Sequence, residues 1–140
     1  VDGILYLSLR MRGVQKISLG SLEGGIYDLT LAESFGVLDT EADGWRTWAR
    51  YYITGASFWD VDWPQAIDYF QQVSAMTPNL HDGSGWTAAQ RYVDALVGYA
   101  HSLETQGYWC DVDELYDQAF QYSGNAVYQE MMSAAQENCR

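Results

Sequence analysis

Two histidines and their acidic neighbours are the residues whose types could perform catalysis. His81 lies beside Asp82, and His101 lies three residues before Glu104. A histidine with a carboxylate neighbour can act as a general base with an orienting partner. The chain has no Gly-x-Ser-x-Gly motif, no cysteine close to a histidine and no paired histidines for zinc. We therefore expect no catalytic residue and a protein that is not an enzyme.

Two clusters of acidic residues could supply oxygen ligands to a metal ion. They are Asp60-x-Asp62 and Asp111-x-Asp113-Glu114. A calcium loop needs further oxygen ligands and a glycine at a fixed spacing. Both clusters stand at predicted helix starts, where aspartate caps free N–H groups and suits the helix dipole. Gly20 to Gly25 lacks the lysine of a phosphate loop. We expect no metal site and no cofactor.

The central stretch from Trp63 to Pro78 indicates the architecture of the chain, because its spacing of apolar residues occurs twice. Apolar residues at 66, 67, 70 and 73 share one helical face, and Pro78 ends the helix. The pattern recurs 46 residues later, pairing Trp63 with Trp109, Ala66 with Val112, Phe70 with Tyr116 and Val73 with Ala119. Each copy follows another predicted helix. A repeated helix–turn–helix unit is typical of a helical solenoid.

The whole chain is predicted to be one all-α domain. We expect repeat one over about 4–38 (helices 4–19 and 27–38), an acidic linker over 39–44, repeat two over about 45–76, repeat three over about 87–122 and a closing helix over about 126–138. In the first helix Leu5, Leu9, Met11, Val14, Ile17 and Leu19 are expected to form the inward stripe. The predicted architecture is a right-handed α–α superhelix of about three helical hairpins plus a C-terminal capping helix.

Residues 49–82 and 92–125, with a closing Cys139, resemble tetratricopeptide repeats, in particular bacterial extracytoplasmic repeat proteins of filamentous phototrophs and their relatives. The resemblance covers roughly residues 40–140 and is weaker over 1–39. It departs from the repeat consensus at Thr54, where a small residue is usual, and at 39–44, which lacks the repeat-ending proline. The resemblance implies a scaffold for protein–protein interaction.

Aromatic residues give the strongest functional signal in a chain with six Trp and eleven Tyr. On the concave face of such a stack, repeat two would present Trp48, Tyr51, Phe58 and Trp59, and repeat three would present His101 and Glu104. An aromatic patch beside an acidic one suits a basic or amphipathic peptide, a neighbouring subunit or a sugar. The alternative is that these aromatic residues form the core, since Trp and Tyr usually bury most of their area.

The net charge of −12 is unevenly distributed. Arg10, Arg12 and Lys16 make the first helix basic, whereas the rest of the chain is strongly acidic. An acidic body argues against nucleic-acid binding, which needs a Lys/Arg footprint. One interpretation of the acidic body is that it keeps the protein soluble. The other is an alternative function, in which the basic helix docks on the acidic end of another copy and builds a head-to-tail filament. The expected partners are a protein or peptide, including copies of the chain itself.

Cys110 and Cys139 bear on the compartment. The end of the last helix is expected to fall beside the turn that contains Cys110, which permits a disulfide. Such a bond indicates an extracytoplasmic or secreted protein. The chain does not begin with Met, so we expect it to be a mature or excised segment. A longer membrane-anchored protein is one possible parent of such a segment. The first apolar run, Ile4 to Leu9, is too short to span a bilayer.

Overall fold

A computed structural model describes residues 1–139, and its regular structure is helical. Seven α-helices follow one another as α1 (Asp2–Ser18), α2 (Leu22–Ala32), α3 (Thr40–Ser57), α4 (Trp63–Met76), α5 (Ala88–Thr105), α6 (Asp113–Ser123) and α7 (Val127–Asn138). A single 3-10 turn, Trp109–Asp111, precedes α6, and one isolated bridge joins His81 to Thr87. The all-α prediction is confirmed. No helix within these 139 residues combines the length and apolarity needed to cross a membrane.

Side-chain caps fix where three helices begin. The side chains of Asp39, Asp62 and Thr87 each accept a hydrogen bond from the backbone N–H three residues later. This satisfies one of the free N–H groups of each first turn. The predicted linker over 39–44 is therefore wrong, because Asp39 caps α3 and the residues after it already belong to that helix.

The first hairpin differs most from its prediction. The helix expected over 27–38 begins at Leu22 and ends at Ala32, so that Gly24 and Gly25 lie inside it. A Cβ on Gly25 would come within 2.6 Å of the carbonyl oxygen of Gly13 on α1. Glycine at both positions thus lets two helix backbones touch. The actual turn contains Gly20, whose positive φ of 93° suits glycine.

The core runs along the middle of the chain and continues under α7. Helices adjacent in sequence pack on one another, and α1 also contacts α3. Three of the four residue pairs of the predicted repeat are fully buried, namely Ala66 with Val112, Phe70 with Tyr116 and Val73 with Ala119, whereas Trp63 and Trp109 are half-buried. The closing helix buries Ala135 and half-buries Met131 and Met132 against the second cluster. The apolar positions chosen from the spacing of α4 and α6 are the positions that pack.

The hairpin of α5 and α6 is not an exact copy of the hairpin of α3 and α4. Trp63 is the first residue of α4, whereas Trp109 lies in the 3-10 turn and α6 starts only at Asp113. Cys110 therefore lies in this turn, ahead of α6. The turn contacts α5 and α7 instead of extending α6.

An apolar stripe on α1 faces solvent. Ile4, Leu7 and Met11 are 71, 60 and 69% exposed and recur at the spacing of one helical face. We call these three residues the α1 stripe. Leu5, Met11 and Leu19 were expected to point inward and are exposed. The reason is that α1 contacts α2 through the face of Gly13 and Ile17, roughly opposite to the stripe.

Candidate functional site

The aromatic residues predicted to form one concave wall fall into two groups. Trp48, Tyr51 and Phe58 line up with Tyr69 of α4, with successive ring centroids 5.3 to 5.9 Å apart. A Cβ on Gly55, in the middle of this row, would lie 2.9 Å from the Phe70 ring. We call the four aromatic residues the seam array, because they follow the contact between α3 and α4. They are half-buried there rather than fully open.

Trp59 belongs to a different group, centred on a buried cation. The guanidinium carbon of Arg91 lies 4.1 Å from the ring centroid of Trp86 and 4.9 Å from that of Trp59. The rings of Tyr52 and Phe70 lie within 6 Å of it. Arg91 with these four aromatic residues is the arginine cluster, and it joins α3, α4, α5 and the loop before α5.

Hydrogen bonds complete the arginine cluster. Arg91 donates through Nη2 to Asp82 at 3.1 Å and through Nε to the Tyr52 hydroxyl at 3.2 Å, and that hydroxyl donates to the Trp86 carbonyl. Burial raises the pKa of Tyr52, against the lowering effect of Arg91. Sequence reasoning missed Arg91. The available signal was its place on the apolar face of α5, three residues after Ala88 and four before Ala95.

A shallow groove forms where the turn between α3 and α4 meets α5. We call it the corner groove; its volume is about 460 Å³, and Asp60, Trp63, Gly98, His101, Ser102, Thr105 and Gln106 line it. The Trp63 indole covers Gly98 so closely that a Cβ there would be 2.5 Å from it. The groove therefore brings the first tryptophan of the repeat beside His101, whose side chain is exposed.

Glu104 is directed elsewhere. Its carboxylate accepts a hydrogen bond of 3.0 Å from the hydroxyl of Tyr116, which is buried on α6. Burial, reinforced by this carboxylate, raises the pKa of Tyr116 well above its usual value. Of the six residues proposed for partner binding, only His101 lines the corner groove.

Neither histidine forms a pair with a carboxylate in the described part of the chain. Nδ1 of His81 lies 2.9 Å from the backbone carbonyl oxygen of Asp82, whose carboxylate instead accepts from Ser84 and Arg91. Across residues 1–139, no group of three His, Cys, Asp or Glu side chains is arranged to hold a metal ion.

The basic residues of α1 are paired within the chain. Arg12 makes two hydrogen bonds to Asp28, of 2.8 and 3.0 Å, and Lys16 adds a third contact at 2.9 Å. Arg10 binds Asp39, the cap of α3, in the same two-pronged way. Self-assembly through these cations stays a prediction, but their charges are already largely neutralised by acids of the same molecule.

The paired cysteines close the C-terminal end. Cys110 and Cys139 form a disulfide with Cα atoms 4.9 Å apart, as predicted. The bond ties the 3-10 turn before α6 to the end of α7. A disulfide fits an oxidising compartment.

Comparisons with protein-family models, with curated proteins and with solved structures give no significant match to this chain. The resemblance to tetratricopeptide repeats thus stays a prediction based on the chain's own residues.

Proposed function

We propose that this protein is a non-enzymatic interaction module whose helical hairpins stack as a right-handed, tetratricopeptide-like superhelix and bind a peptide segment of a partner protein. The observation that carries the proposal is the corner groove. It is an open surface beside a turn, and an indole, an imidazole, a carboxylate and side-chain amide and hydroxyl groups line it.

The chemistry of the corner groove favours a basic peptide that also carries an apolar side chain. The Trp63 indole offers an apolar platform, and Asp60 offers a negative charge beside it. Ser102 and Gln106 can hydrogen-bond to a peptide backbone. The net charge of −12 would also steer a basic partner towards the protein.

The disulfide supports a place outside the cytoplasm for this interaction. Disulfides persist in extracellular and periplasmic proteins and are rare in the cytosol. The proposed module is accordingly an extracytoplasmic scaffold.

A peptide library displayed on phage tests this function. We expect selection on the protein to enrich peptides with Lys or Arg next to an aromatic or aliphatic residue. The double variant Asp60→Asn/His101→Ala should bind these peptides about tenfold more weakly. Asparagine keeps the left-handed backbone conformation of residue 60 accessible, so the variant should fold.

The matched control is Gln121→Ala, an exposed substitution on α6 away from the corner groove. It should bind the selected peptides as the unsubstituted protein does. Failure to enrich any peptide, or equal affinity of the groove variant, would refute the proposed binding site.

A second candidate function is self-assembly as a structural subunit of an extracellular filament. The observation that favours it is the α1 stripe, because three large apolar side chains are exposed on one helical face. Contiguous exposed apolar surface is typical of interaction sites. The contact would then be apolar rather than the charge contact through Arg10, Arg12 and Lys16.

A further inference from the structure

A second cavity, separate from the corner groove, lies between α5, α6 and α7. Its volume is about 330 Å³, and its walls include Gln90, Val93, Asp94, Tyr122, Ser123 and Tyr128. The volume falls in the range of small-ligand sites. We call it the Asp94 cavity, since Asp94 is the one acidic residue among those that line it.

Asp94 is positioned by an indole. Nε1 of Trp86 donates to one carboxylate oxygen of Asp94 at 2.9 Å. The other oxygen has no hydrogen-bond partner among residues 1–139, and no ion pair there includes Asp94. The nearest cationic influence is Arg91, which is already bonded to Asp82 and Tyr52.

The charge of Asp94 is poorly compensated. Burial raises the pKa of Asp94 above the ordinary carboxyl value, although the Trp86 hydrogen bond and Arg91 oppose this effect. Burial also raises the pKa of Tyr128, and the nearby Asp94 charge adds to the increase. Both directions indicate that burial in this half-enclosed space disfavours an unpaired negative charge, and a cation bound beside the Asp94 carboxylate would offset that cost.

The aromatic walls suit the same kind of ligand. Tyr122 is held against Tyr92 with ring centroids 5.0 Å apart, and Tyr128 packs on the main core cluster. Tyrosine faces attract cations through the ring quadrupole. A carboxylate oxygen with two tyrosines beside it is a combination that recognises an alkylammonium group.

We propose that the Asp94 cavity binds an organic ammonium group, with the free carboxylate oxygen of Asp94 as acceptor and the rings of Tyr122 and Tyr128 as walls. The group belongs either to a lysine side chain of a partner protein or to a free amine. This site is independent of the corner groove.

The indole N–H of Trp86 is a direct reporter of the site, because it donates to Asp94. We expect titration with n-butylammonium to shift the Trp86 Nε1–H signal in a ¹H–¹⁵N NMR spectrum, and to saturate. n-Butanol, which has the same chain without the charge, should produce no saturable shift. No saturable shift with n-butylammonium, or an equal one with n-butanol, would overturn the proposal.

The variant Asp94→Asn keeps an oxygen that can accept from Trp86 and removes the charge. It should weaken n-butylammonium binding about tenfold or more. Asp68→Asn, an exposed acid on α4, is the matched control and should bind as before. Unchanged binding by folded Asp94→Asn also contradicts the proposal; the comparison of n-butylammonium with n-butanol needs no variant and decides the matter if that variant fails to fold.

The source of the ammonium group is decided by a second titration, with N-acetyl-lysine N-methylamide. Binding at least as tight as that of n-butylammonium assigns the cavity to a lysine of a partner protein. Binding of n-butylammonium alone assigns it to a free amine. His101→Ala should leave both titrations unchanged, so the corner groove and the Asp94 cavity stand or fall separately.

Discussion

Arg91 stabilises the protein through the shape of its guanidinium as well as its charge. The planar group lies against Trp86 and Trp59 while it reaches Asp82 and Tyr52. Lysine keeps the charge but cannot stack or form the same set of hydrogen bonds. The cluster therefore depends on arginine in particular.

We expect Arg91→Lys to lower the free energy of unfolding by about 1–2 kcal/mol, because stacking and one hydrogen bond are lost. Urea denaturation followed by circular dichroism measures the change. Arg50→Lys is the control; residue 50 is exposed on α3, so its effect should stay within about 0.5 kcal/mol. Equal effects of the two substitutions would contradict the role assigned to the arginine cluster.

The buried carboxyl group of Asp28 makes the stability of the protein depend on pH. Its carboxylate is 1% exposed and binds Arg12 and Lys16. Burial alone would raise the pKa of Asp28, but the two cations outweigh it and the pKa is lowered. A lowered pKa in the folded state adds stability at pH values above the ordinary carboxyl pKa of 3.8. That contribution is lost as the pH falls from about 4 towards the folded-state value.

We expect Asp28→Asn to lower stability by about 2 kcal/mol at neutral pH and to lower it much less at acidic pH, where the carboxylate is protonated anyway. Denaturant titrations at neutral pH and near pH 3 measure both values. Asp43→Asn serves as control because Asp43 is an exposed partner of Arg46 and should change stability by less than about 1 kcal/mol. A constant difference across this pH range would count against the buried ion pair.

At the scale of elements, the first hairpin depends on the absence of side chains where α1 crosses α2. A Cβ on Gly25 would meet the Gly13 carbonyl at 2.6 Å, and one on Gly13 would meet Leu29 at 2.7 Å. Backbone cannot move aside as a flexible side chain can. Helix propensity and helix packing therefore make opposite demands at these positions.

Gly25→Ala should destabilise the protein by about 1–3 kcal/mol, although alanine is the better helix former. Gly44→Ala is a matched substitution in α3, where a Cβ would meet nothing within 4 Å. It should stabilise by about 0.5–1 kcal/mol. Thermal unfolding of the two variants compares the signs; a gain in stability for Gly25→Ala would show that α1 and α2 do not touch there.

The disulfide holds a helix that buries little by itself. Only Ala135 of α7 is fully buried. The bond closes a loop across a sequence separation of 29, so the chain-entropy model gives roughly 3 kcal/mol of stabilisation. We expect the Cys110→Ala/Cys139→Ala variant to lose about this much. Hydrogen exchange should quicken first in α7 and little in α3 and α4; equal acceleration throughout would contradict this local role.

Helices with a clear apolar spacing were predicted from the sequence more accurately than helices without one. The fully buried triads of α4 and α6 and the closing helix followed from spacing alone. The second helix was predicted to begin at residue 27, five residues too late, because glycine is a poor helix former, whereas Gly25 lies inside α2 at its contact with Gly13. Spacing carries no information on what a small residue faces, so this error could not be avoided without tertiary structure.

The aromatic residues predicted to share one face lie in two groups, because contacts between residues distant in sequence decide where each side chain points. A helix extended to Trp59 would place that indole on the face of Trp48, but α3 ends at Ser57 and Trp59 follows the turn towards Arg91. The carboxylate of Glu104 accepts a hydrogen bond from Tyr116 on α6 and does not line the corner groove with His101. Only partners distant in sequence decide these directions.

At the scale of the whole molecule, most positive charge is used internally. Among residues 1–139, Arg10, Arg12, Lys16, Arg46 and Arg91 all form ion pairs. The field outside the protein is therefore set by its unpaired acids, which repel other copies. Association between copies would have to come from apolar surface, and the α1 stripe provides it.

We expect the protein to form concentration-dependent oligomers on the order of tens of micromolar. The triple variant Ile4→Ser/Leu7→Ser/Met11→Ser should remain folded and monomeric, since the three side chains are exposed. Light scattering coupled to gel filtration measures the mass. Ile17→Ser, on the buried face of α1, should instead unfold the hairpin. A monomeric unsubstituted protein at these concentrations would exclude the filament function.

The close grouping of Trp59, Trp63 and Trp86 has a spectroscopic consequence. Ring centroids 5.0 and 5.2 Å apart allow the excited states of the three indoles to mix. The mixed transitions contribute their own optical activity in the far ultraviolet, on top of the amide bands. The helix content calculated from far-ultraviolet circular dichroism would then be distorted. Loss of the indole contribution on heating would report the separation of α3, α4 and the loop before α5, even while the helices themselves persist.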